Sequence, residues 1–395
     1  MEPDFELAED RYSRQRLIAS WSQERLAQAR IIVAGAGALG NEVLKNLALA
    51  GVGNILTIDF DRIEISNLSR SVLFRETDVG CPKASTAANA LRKLNPEISI
   101  RAIDGDIETD LGLGIIREYD LVLGCLDSIH ARWILNRACW KAGRPWIDAG
   151  INATVGEVSL YVPDNGPCYE CGMTEQMWRQ IHKRRSCMLL PNRLPPRVVP
   201  TTTVIASLTA ALQVNEALAW VNKCPSNQSR VNQSWANPTT SHGAKQLALG
   251  ETLFISLAPY SVSTFTTSEK PDCLAHETYK PSIFVEASPS EMTVKELLDY
   301  LPGGASLQLD FDVLSAWQCV NCGEEQEGKR LSAVESTEAM CPICGAERTA
   351  ELVHEISYRD RLAEHSLEAI GVPPRSILRI KTDTGIRCLE LTKEV

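Results

Sequence analysis

Apolar residues follow two different periods along the first part of the chain. Short runs rich in β-branched residues predict strands, and apolar residues three or four positions apart predict helices. The predicted strands are 30–34, 54–59, 98–102, 121–124, 146–149 and 158–162. The predicted helices are 11–30, 41–50, 83–94 and 132–142. Strands that alternate with helices indicate an α/β fold with a mostly parallel sheet covered on both faces.

The pattern changes in the rest of the chain. It predicts a long apolar helix within 200–221, a surface loop rich in Asn, Ser and Thr at 222–245, and strand structure within 251–268. After about residue 281 the composition shifts again, and strand-like segments recur. We therefore expect two domains, 1–280 and 281–395.

The composition and net charge of the chain argue against several classes of function. The 395 residues carry a formal net charge of −10 without a dominant basic patch, which argues against nucleic-acid binding. We find no apolar run long enough to span a bilayer, and residues 1–10 are too acidic for a secretory signal. We therefore expect a cytoplasmic protein that does not bind membranes. Thirteen cysteines in such a protein favour metal sites and a reactive thiol over a disulfide framework.

A glycine-rich loop lies between the first predicted strand and the next helix. Gly35, Gly37 and Gly40 form a G-x-G-x-x-G pattern there. Glycines let the backbone approach a phosphate, and a helix N-terminus favours the anion. Asp59 ends the next strand, where an acid can bind a ribose hydroxyl. The order of these features predicts a nucleotide site, and the alternative is a glycine turn without a ligand.

The glycine loop fits NAD as well as ATP, so residues further along decide between them. Arg70 and Lys83 follow the second strand. Hydride transfer needs no arginine and lysine near the nucleotide. Adenylation does, because negative charge builds on the polyphosphate as a carboxylate attacks the α-phosphorus. Each residue alone fits a solvated surface charge equally well, but the combination favours ATP over an NAD-dependent oxidoreductase.

A series of motifs extends over roughly residues 11–276. They are Arg11-Tyr12-Ser13-Arg14-Gln15, the glycine loop, Gly51-Val52-Gly53, Asp59-Phe60-Asp61, Asn67-Leu68-Ser69-Arg70, Gly80-Cys81-Pro82-Lys83 and Cys125-Leu126-Asp127. With them the sequence resembles the ubiquitin-activating superfamily, which includes the adenylyltransferases of molybdopterin and thiamine synthesis. The resemblance implies a Rossmann-like fold of the ThiF type. It also implies ATP-dependent adenylation of the C-terminal carboxylate of a small ubiquitin-like protein with a β-grasp fold.

The resemblance assigns the polar residues of these motifs to the nucleotide. Asp59 would bind the ribose, and Asp61 belongs to the same nucleotide-binding motif. Asn67, Arg70 and Lys83 would hold and neutralise the phosphates.

Two further residues are assigned by the same resemblance. Asp127 would hold Mg²⁺ through a hard oxygen ligand. Arg14 matches an arginine that reaches the ATP of the neighbouring subunit, which implies a homodimer. At two positions the chain departs from the family pattern: Ser71 replaces the usual Gln, and Ser128 replaces a frequent Asn. These departures change details of nucleotide or substrate contact and leave the ATP assignment intact.

Two sets of zinc ligands are expected. In the relatives, two C-x-x-C pairs complete one tetrahedral site, and the resemblance implies that Cys168, Cys171, Cys273 and His276 do so here as a Cys₃His site. The alternative is a lost site with spare buried cysteines. Cys319, Cys322, Cys341 and Cys344 form two further C-x-x-C pairs about 20 residues apart, which is the spacing of a structural zinc ribbon.

Cys187 is the candidate nucleophile among the remaining cysteines. It follows a basic run, 182–185, that would stabilise a thiolate. It also lies between the first C-x-x-C pair and the long apolar helix, where thioester-forming members of the family keep their cysteine. There it would attack the adenylate and carry the modifier as a thioester. The alternative is an exposed loop cysteine in a basic stretch that receives an acidic surface of the partner.

Four functions are considered for a chain with these motifs. The first is activation of a ubiquitin-like protein with a thioester on Cys187 and transfer to a conjugating enzyme, which the C-terminal zinc-ribbon domain would help to dock. The second is a sulfur-carrier adenylyltransferase without an obligatory enzyme thioester. The third is a subunit that only binds a partner, and the fourth is an NAD oxidoreductase. Arg14, Arg70, Lys83 and Asp127 argue against the last two. The ribbon and the lack of a recognisable sulfur-transfer domain favour the first over the second.

Overall fold

A computed structural model describes residues 9–186, 200–223, 247–301, 303–330, 334 and 336–393. Contacts between Cα atoms divide the chain into two compact units. The first comprises Met1–Glu108, Ile116–Gly172 and Val199–Glu277, and the second comprises Thr109–Ile115, Met173–Val198 and Thr278–Val395. Each unit has its own sheet and its own apolar core.

The first unit is built around a sheet of eight described strands. They are β1 (Arg30–Ala34), β2 (Asn54–Ile58), β3 (Ser99–Ile103), β4 (Leu121–Gly124), β5 (Trp146–Asn152), β6 (Val155–Tyr161), β7 (Glu251–Leu257) and β8 (Tyr260–Thr266). Their order is β3-β2-β1-β4-β5-β6-β7-β8. The strands from β3 to β5 pair in parallel, and β6, β7 and β8 add antiparallel pairs. The predicted α/β class with a mostly parallel sheet is confirmed.

The helices supply the layers that cover the sheets. They are α1 (Gln23–Gln28), α2 (Ala38–Ala50), α3 (Lys83–Leu94), α4 (Leu113–Glu118), α5 (Ile129–Lys141), α6 (Glu175–Ser186), α7 (Thr203–Lys223) and α8 (Val294–Asp299). In the first unit, Val33 of β1 and Leu123 of β4 share one buried core with Leu47 of α2 and Val214 of α7. This core fixes the carboxyl ends of β1 and β4, where the glycine loop and the motif of Asp127 begin.

The helix predicted for 11–30 is wrong. The structure has a 3₁₀ turn at Gln15–Leu17 and then the separate short helix α1, which is capped by Ser22. Leu17 and Ile18, whose spacing suggested a helical face, are 69% and 51% exposed. Apolar spacing makes a stable helix only where the face is buried, and here only Leu26 of α1 is buried.

Helix α7 changes the expectation about apolar runs. By length and composition alone it could cross a membrane, so the statement that no run is long enough is wrong. Half of its apolar window is buried in this structure. Its residues Ile205, Ala210 and Ala217 are fully buried, and the helix packs against β5, β6 and α2. The apolar composition of α7 is therefore explained by its place in the core.

The second unit has a separate sheet. Its described strands are β9 (Pro281–Val285), β10 (Ser306–Cys319), β11 (Glu325–Glu327), β12 (Arg348–Ser357), β13 (Ile377–Thr382) and β14 (Gly385–Leu391). Their order is β11-β10-β13-β14-β9, and β12 also pairs with β10. Helix α8 begins with a capping box at Thr293 and Glu296 and buries Val294 and Leu297 in the core.

Strand β10 takes part in two apolar clusters of the second unit. Leu307 and Val313 belong to the larger core, which also holds α8. Leu314 and Trp317 belong to a smaller cluster, and the strand ends at Cys319. The pairing of β10 with β12 runs from Ser306 to Cys319 with two register shifts. One strand therefore connects the main core of the unit to the cysteine-rich segment.

Candidate functional site

The glycine loop joins β1 to α2 at the carboxyl edge of the first sheet. Gly35 has φ +98°, and a Cβ there would lie 2.5 Å from the carbonyl oxygen of Cys125. A Cβ at Gly40 would lie 2.0 Å from the carbonyl oxygen of Gly35. Both positions therefore require glycine. A Cβ at Gly37 would meet no atom within 4 Å, so the loop leaves open space beside the N-terminus of α2.

Asp59 ties the glycine loop to the end of β2. Its Oδ2 accepts a hydrogen bond of 2.7 Å from the Ala36 N–H, and its Oδ1 accepts one of 2.8 Å from the Asp61 N–H. Burial raises the pKa of Asp59 above its usual range, and the positive charge of Lys83 partly opposes this. A carboxylate oxygen can accept more than one hydrogen bond, so Asp59 can also accept one from a ligand hydroxyl.

Lys83 begins helix α3 and is buried. Its Nζ lies 2.7 Å from Oδ2 of Asp61, and its backbone N–H donates to the Asp61 carbonyl oxygen at 2.9 Å. Since Asp61 is also bonded to Asp59, these three charged residues form one connected group beside the glycine loop. The structure thus brings together Lys83, Asp61 and Asp59, the three residues that the resemblance assigns to the nucleotide.

Asn67 and Arg70 are held by local contacts instead. The Asn67 Oδ1 accepts a hydrogen bond from the Glu64 N–H at 2.9 Å, and Arg70 donates from Nη1 to the Ser66 carbonyl oxygen at 2.6 Å. Arg70 is half-buried and has no acidic partner within salt-bridge distance among the residues that the structure describes. A guanidinium without a carboxylate partner keeps donors that can bind phosphate oxygens.

Asp127 and Arg14 are both exposed. Asp127 follows β4, and in the described part of the chain its carboxylate has no hydrogen-bond or ion-pair partner. Two residues before Asp127, the carbonyl oxygen of Cys125 lies close to Gly35 of the glycine loop. Arg14 precedes the 3₁₀ turn Gln15–Leu17 and likewise has no partner in the described ranges. These positions are compatible with the metal and intersubunit roles that the motifs predict.

The sequence analysis did not identify Asn41, whose side chain is hydrogen-bonded to the backbone of the glycine loop. This fully buried residue of α2 donates from Nδ2 to the carbonyl oxygen of Ala36 at 2.6 Å. Its Oδ1 accepts a hydrogen bond from the Leu73 N–H at 2.9 Å. It therefore links the loop to the segment that follows Arg70. The available signal was a polar residue directly after the last glycine, in the apolar part of a helix.

An ion pair that the sequence analysis did not identify lies next to the segment that carries Asp127. Arg132 of α5 forms an ion pair with Asp148 of β5, with Nε 3.3 Å from Oδ1, and both side chains are largely buried. Burial raises the pKa of Asp148 to about 6, against the opposing effect of Arg132. No spacing rule connects these positions in the sequence.

The first zinc set comes together as predicted from the resemblance. Its four ligand atoms, from Cys168, Cys171, Cys273 and His276, lie within 4.8 Å of one another. Cys168 Sγ is 3.8 Å from Cys171 Sγ and 3.5 Å from Cys273 Sγ. Sulfur atoms bound at about 2.3 Å to one tetrahedral zinc lie about 3.8 Å apart, so the set fits this metal.

Residues around the first set orient its ligands. The His276 Nε2 lies 3.5 Å from Cys171 Sγ, while its Nδ1 lies 3.4 Å from the Glu269 carboxylate. Trp140 of α5 stacks on the imidazole, with ring centroids 4.2 Å apart. A carboxylate on the outer nitrogen and a ring against the face fix the orientation of a metal-binding histidine.

The second zinc set lies at the end of β10. Sγ atoms of Cys319 and Cys344 are 3.5 Å apart, and those of Cys322 and Cys341 are 3.6 Å apart. Each C-x-x-C pair is followed by a glycine with positive φ, at Gly323 and Gly345. The repeated turn and the all-sulfur ligands are typical of a structural zinc ribbon.

The candidate nucleophile Cys187 lies outside the described residues, as does Cys224. Among the described cysteines that are not in the two sets, Cys139 is fully buried and Cys81 is exposed. Burial raises the pKa of the Cys125 thiol, which lies 3.6 Å from the amide oxygen of Gln213. A protonated thiol is a poor nucleophile, so Cys125 is not a competitor for this role.

The amino-acid sequence is similar to those of known adenylyltransferases. The chain is 42% identical over 164 residues to the adenylyltransferase and sulfurtransferase MOCS3 of Mus musculus, which is 41% of this chain and 36% of that protein. It is 34% identical over 223 residues to a sulfur carrier protein adenylyltransferase of Thermus thermophilus, which is 53% of this chain and 76% of that relative. The chain thus spans only about a third of the mouse relative.

A solved structure shares the fold. The structure of Escherichia coli MccB with ATP is similar with a TM-score of 0.52 and 26% identity, over 69% of this chain and 75% of that chain. The model of the ThiF family matches residues 12–251, which is more than half of the sequence. The resemblance to the ubiquitin-activating superfamily is therefore confirmed, and the chain belongs to the ThiF family.

Proposed function

We propose that this protein uses ATP to adenylate the C-terminal carboxylate of a small ubiquitin-like protein. The observation that carries the proposal is the buried Lys83, held 2.7 Å from Asp61 next to a glycine loop with open space at Gly37. A cation at that place meets the polyphosphate of a nucleotide bound on the loop. The adenylyltransferase activities for which the mouse and Thermus relatives are named, and the ATP in the MccB structure, support the choice of ATP.

The reaction requires charge to be neutralised on the leaving group. A carboxylate oxygen of the modifier attacks the α-phosphorus, the bond to the bridging oxygen breaks, and pyrophosphate leaves. Lys83 and Arg70 oppose the negative charge that builds on the departing phosphates. Asp59 binds the ribose and holds the loop. Asp127 would hold Mg²⁺, which would supply further neutralisation of the phosphates.

The proposal includes a homodimer and two structural zinc ions. Arg14 reaches the nucleotide of the partner subunit, so each site takes residues from two chains. Its exposure and lack of an acidic partner in the described chain are compatible with this role. One zinc would close Cys168, Cys171, Cys273 and His276, and the other would close the four cysteines at the end of β10.

We further propose that the adenylate passes to Cys187. The thiolate attacks the acyl carbon, AMP leaves with the bonding electrons, and a thioester remains. The basic residues 182–185, which precede Cys187, stabilise the thiolate form of this cysteine by their positive charge. A conjugating enzyme then receives the modifier, with the C-terminal unit as its docking partner.

An alternative second step is delivery of the adenylate to a sulfur donor without an enzyme thioester. It is favoured by the two relatives, since the Thermus protein is named as a sulfur carrier protein adenylyltransferase and the mouse protein is also a sulfurtransferase. Both alternatives share the first step.

One experiment separates these functions. The full chain is incubated with ATP, Mg²⁺ and each small β-grasp protein of its source organism, and pyrophosphate exchange is measured alongside gels with and without reductant. An adduct that disappears with reductant and in Cys187→Ala, but persists in Cys81→Ala, supports the thioester. Exchange without any adduct supports the alternative. If no candidate protein supports exchange, the adenylation proposal is wrong.

A further inference from the structure

A single buried guanidinium lies directly behind the segment that carries Asp127. Arg132, in the first turn of α5, points back to the edge of the sheet. Its Nη2 donates to the carbonyl oxygen of Leu126 at 3.0 Å and to that of Ala149 at 3.3 Å. One side chain thus joins the loop after β4 to strand β5.

Acidic groups hold the guanidinium in this orientation. The Nε of Arg132 lies 3.3 Å from Asp148 Oδ1, and its Nη1 lies 3.8 Å from Glu157 Oε1. Arg132 and Asp148 are 13% and 5% exposed. A Cβ at Gly150 would lie 2.6 Å from Nη2 of Arg132, so this glycine leaves the space that the guanidinium fills.

Stability alone is a weak reason for such an arrangement. Removing two charges from water costs free energy that a buried ion pair often fails to recover. An arginine that also binds two carbonyl oxygens can fix the backbone geometry where a reacting or metal-binding group is attached. The Leu126 carbonyl is such a place, because Leu126 directly precedes Asp127.

The residue on the other side of Asp127 is fixed as well. The Oγ of Ser128 accepts a hydrogen bond from the Ala131 N–H at 3.1 Å and caps α5. Asp127 therefore lies between two anchored residues. Its own carboxylate is exposed and has no partner in the described part of the chain. Hydrogen bonds therefore hold the residues on both sides of Asp127, while its carboxylate can bind a ligand.

We propose that Arg132 is a positioning residue that sets the Asp127 carboxylate for the metal–nucleotide complex. This rests on the proposed function, in which Asp127 holds Mg²⁺. Lysine at 132 would keep the charge but not the planar fork that reaches both carbonyl oxygens and Asp148. Loss of such outer contacts typically costs about 10- to 100-fold in metal affinity.

The test measures nucleotide binding rather than turnover. ATP binding to the full-length protein is followed by calorimetry at increasing Mg²⁺, and again in EDTA. We expect Arg132→Lys to raise the Mg²⁺ concentration for half-maximal tightening by about 10- to 100-fold and to leave ATP binding in EDTA unchanged. The matched control is Arg137→Lys on the same helix, which loses a bidentate pair with Glu170 away from Asp127 and should not shift the Mg²⁺ requirement.

Three results bear on the proposal in different ways. An unchanged Mg²⁺ requirement in Arg132→Lys, with Asp127→Asn raising it, overturns the positioning role and leaves the proposed function standing. If Asp127→Asn also has no effect, the metal role of Asp127 in the proposed function is wrong, and the positioning role falls with it. Should Arg132→Lys fail to fold, Asp148→Asn replaces it: it keeps the shape and weakens the hold on Nε, so an unchanged requirement there overturns the proposal.

Discussion

The Nζ of Lys83 lies 2.7 Å from Oδ2 of Asp61, and the backbone of the same two residues is joined by a hydrogen bond of 2.9 Å. The lysine is therefore held at the start of α3 by two contacts before any substrate is bound. Phosphate oxygens of a nucleotide would compete with Asp61 for its ammonium group. Because the side chain is 11% exposed, this competition takes place with little screening by water.

Removing the Lys83 ammonium should abolish most of the adenylation. We expect Lys83→Met to lower pyrophosphate exchange by about 100-fold or more, the usual effect of losing one preorganised charge at a transition state. Lys45→Met is the matched control, since Lys45 pairs with Glu42 on α2. Exchange assays on both variants check this. Equal activity of Lys83→Met and Lys45→Met would contradict the phosphate role.

An arginine supplied by the partner subunit makes a specific prediction about mixed dimers. Arg14→Ala and Lys83→Met should each be inactive alone. In a co-expressed mixture, half of the dimers are mixed and carry one intact site of two, so exchange should recover to about one quarter of the wild-type level. Recovery is measured by pyrophosphate exchange on the purified mixture. A mixture that stays inactive while still forming dimers would mean that Arg14 acts within its own chain, and an active Arg14→Ala variant would mean that it has no role.

Metal content gives a direct check of the two cysteine sets. We expect two zinc ions per chain by mass spectrometry of the metals, one for each set. Cys168→Ser with Cys171→Ser should remove one, and Cys319→Ser with Cys322→Ser should remove the other. Each loss should lower the melting temperature, because zinc binding contributes to folding. Cys81→Ser, at an exposed cysteine outside both sets, should retain both ions.

Asp148 should make stability depend on pH in an unusual direction. Burial raises its pKa in the folded state to about 6 from an ordinary value of 3.8, although Arg132 opposes the shift and Glu157 adds to it. Tyr161 and Tyr169 are the other titratable groups near it, and the Asp148 carboxylate raises the pKa of both. Between about pH 4 and 6 the folded state therefore binds more protons than the unfolded state. Its contribution to the free energy of unfolding falls as pH rises through this window, by about 3 kcal/mol in total.

The comparison of wild type with Asp148→Asn isolates that contribution. The variant cannot titrate at this position, so its melting temperature should fall less than that of the wild type between pH 4 and pH 6. Thermal melts of both proteins at half-unit steps measure the difference. Parallel pH profiles would show that Asp148 keeps an ordinary pKa in the folded protein.

The parts of the fold that sequence predicted are those set by local patterns. The run Ile31–Val33 is fully buried, and an uninterrupted apolar run of this length is the pattern of a strand covered on both faces. The glycine loop is visible because its backbone needs a residue without a side chain at Gly35. The helix predicted for 11–30 failed because sequence spacing does not tell whether Leu17 meets a core or solvent.

The supporting residues of the site could not be predicted in this way. Asn41 contacts the backbone of Leu73, and Arg132 contacts that of Ala149, at separations set only by the folded sheet. A polar residue that is buried by distant partners leaves no periodic signal in the sequence. Asp59 and Lys83 were found because motif spacing identified them, yet their shared contact with Asp61 was visible only in the structure.

Strand β10 carries two irregularities between the core of the second unit and its cysteine-rich segment. Near one end of its 14 residues Leu307 lies in the core of the second unit, and the other end is Cys319. Its pairing with β12 is interrupted between Gln308 and Val313 and again between Leu314 and Ala316. Because β-bulges bend a strand and increase its twist, these two irregularities set the direction in which the cysteine-rich end leaves the core of the second unit.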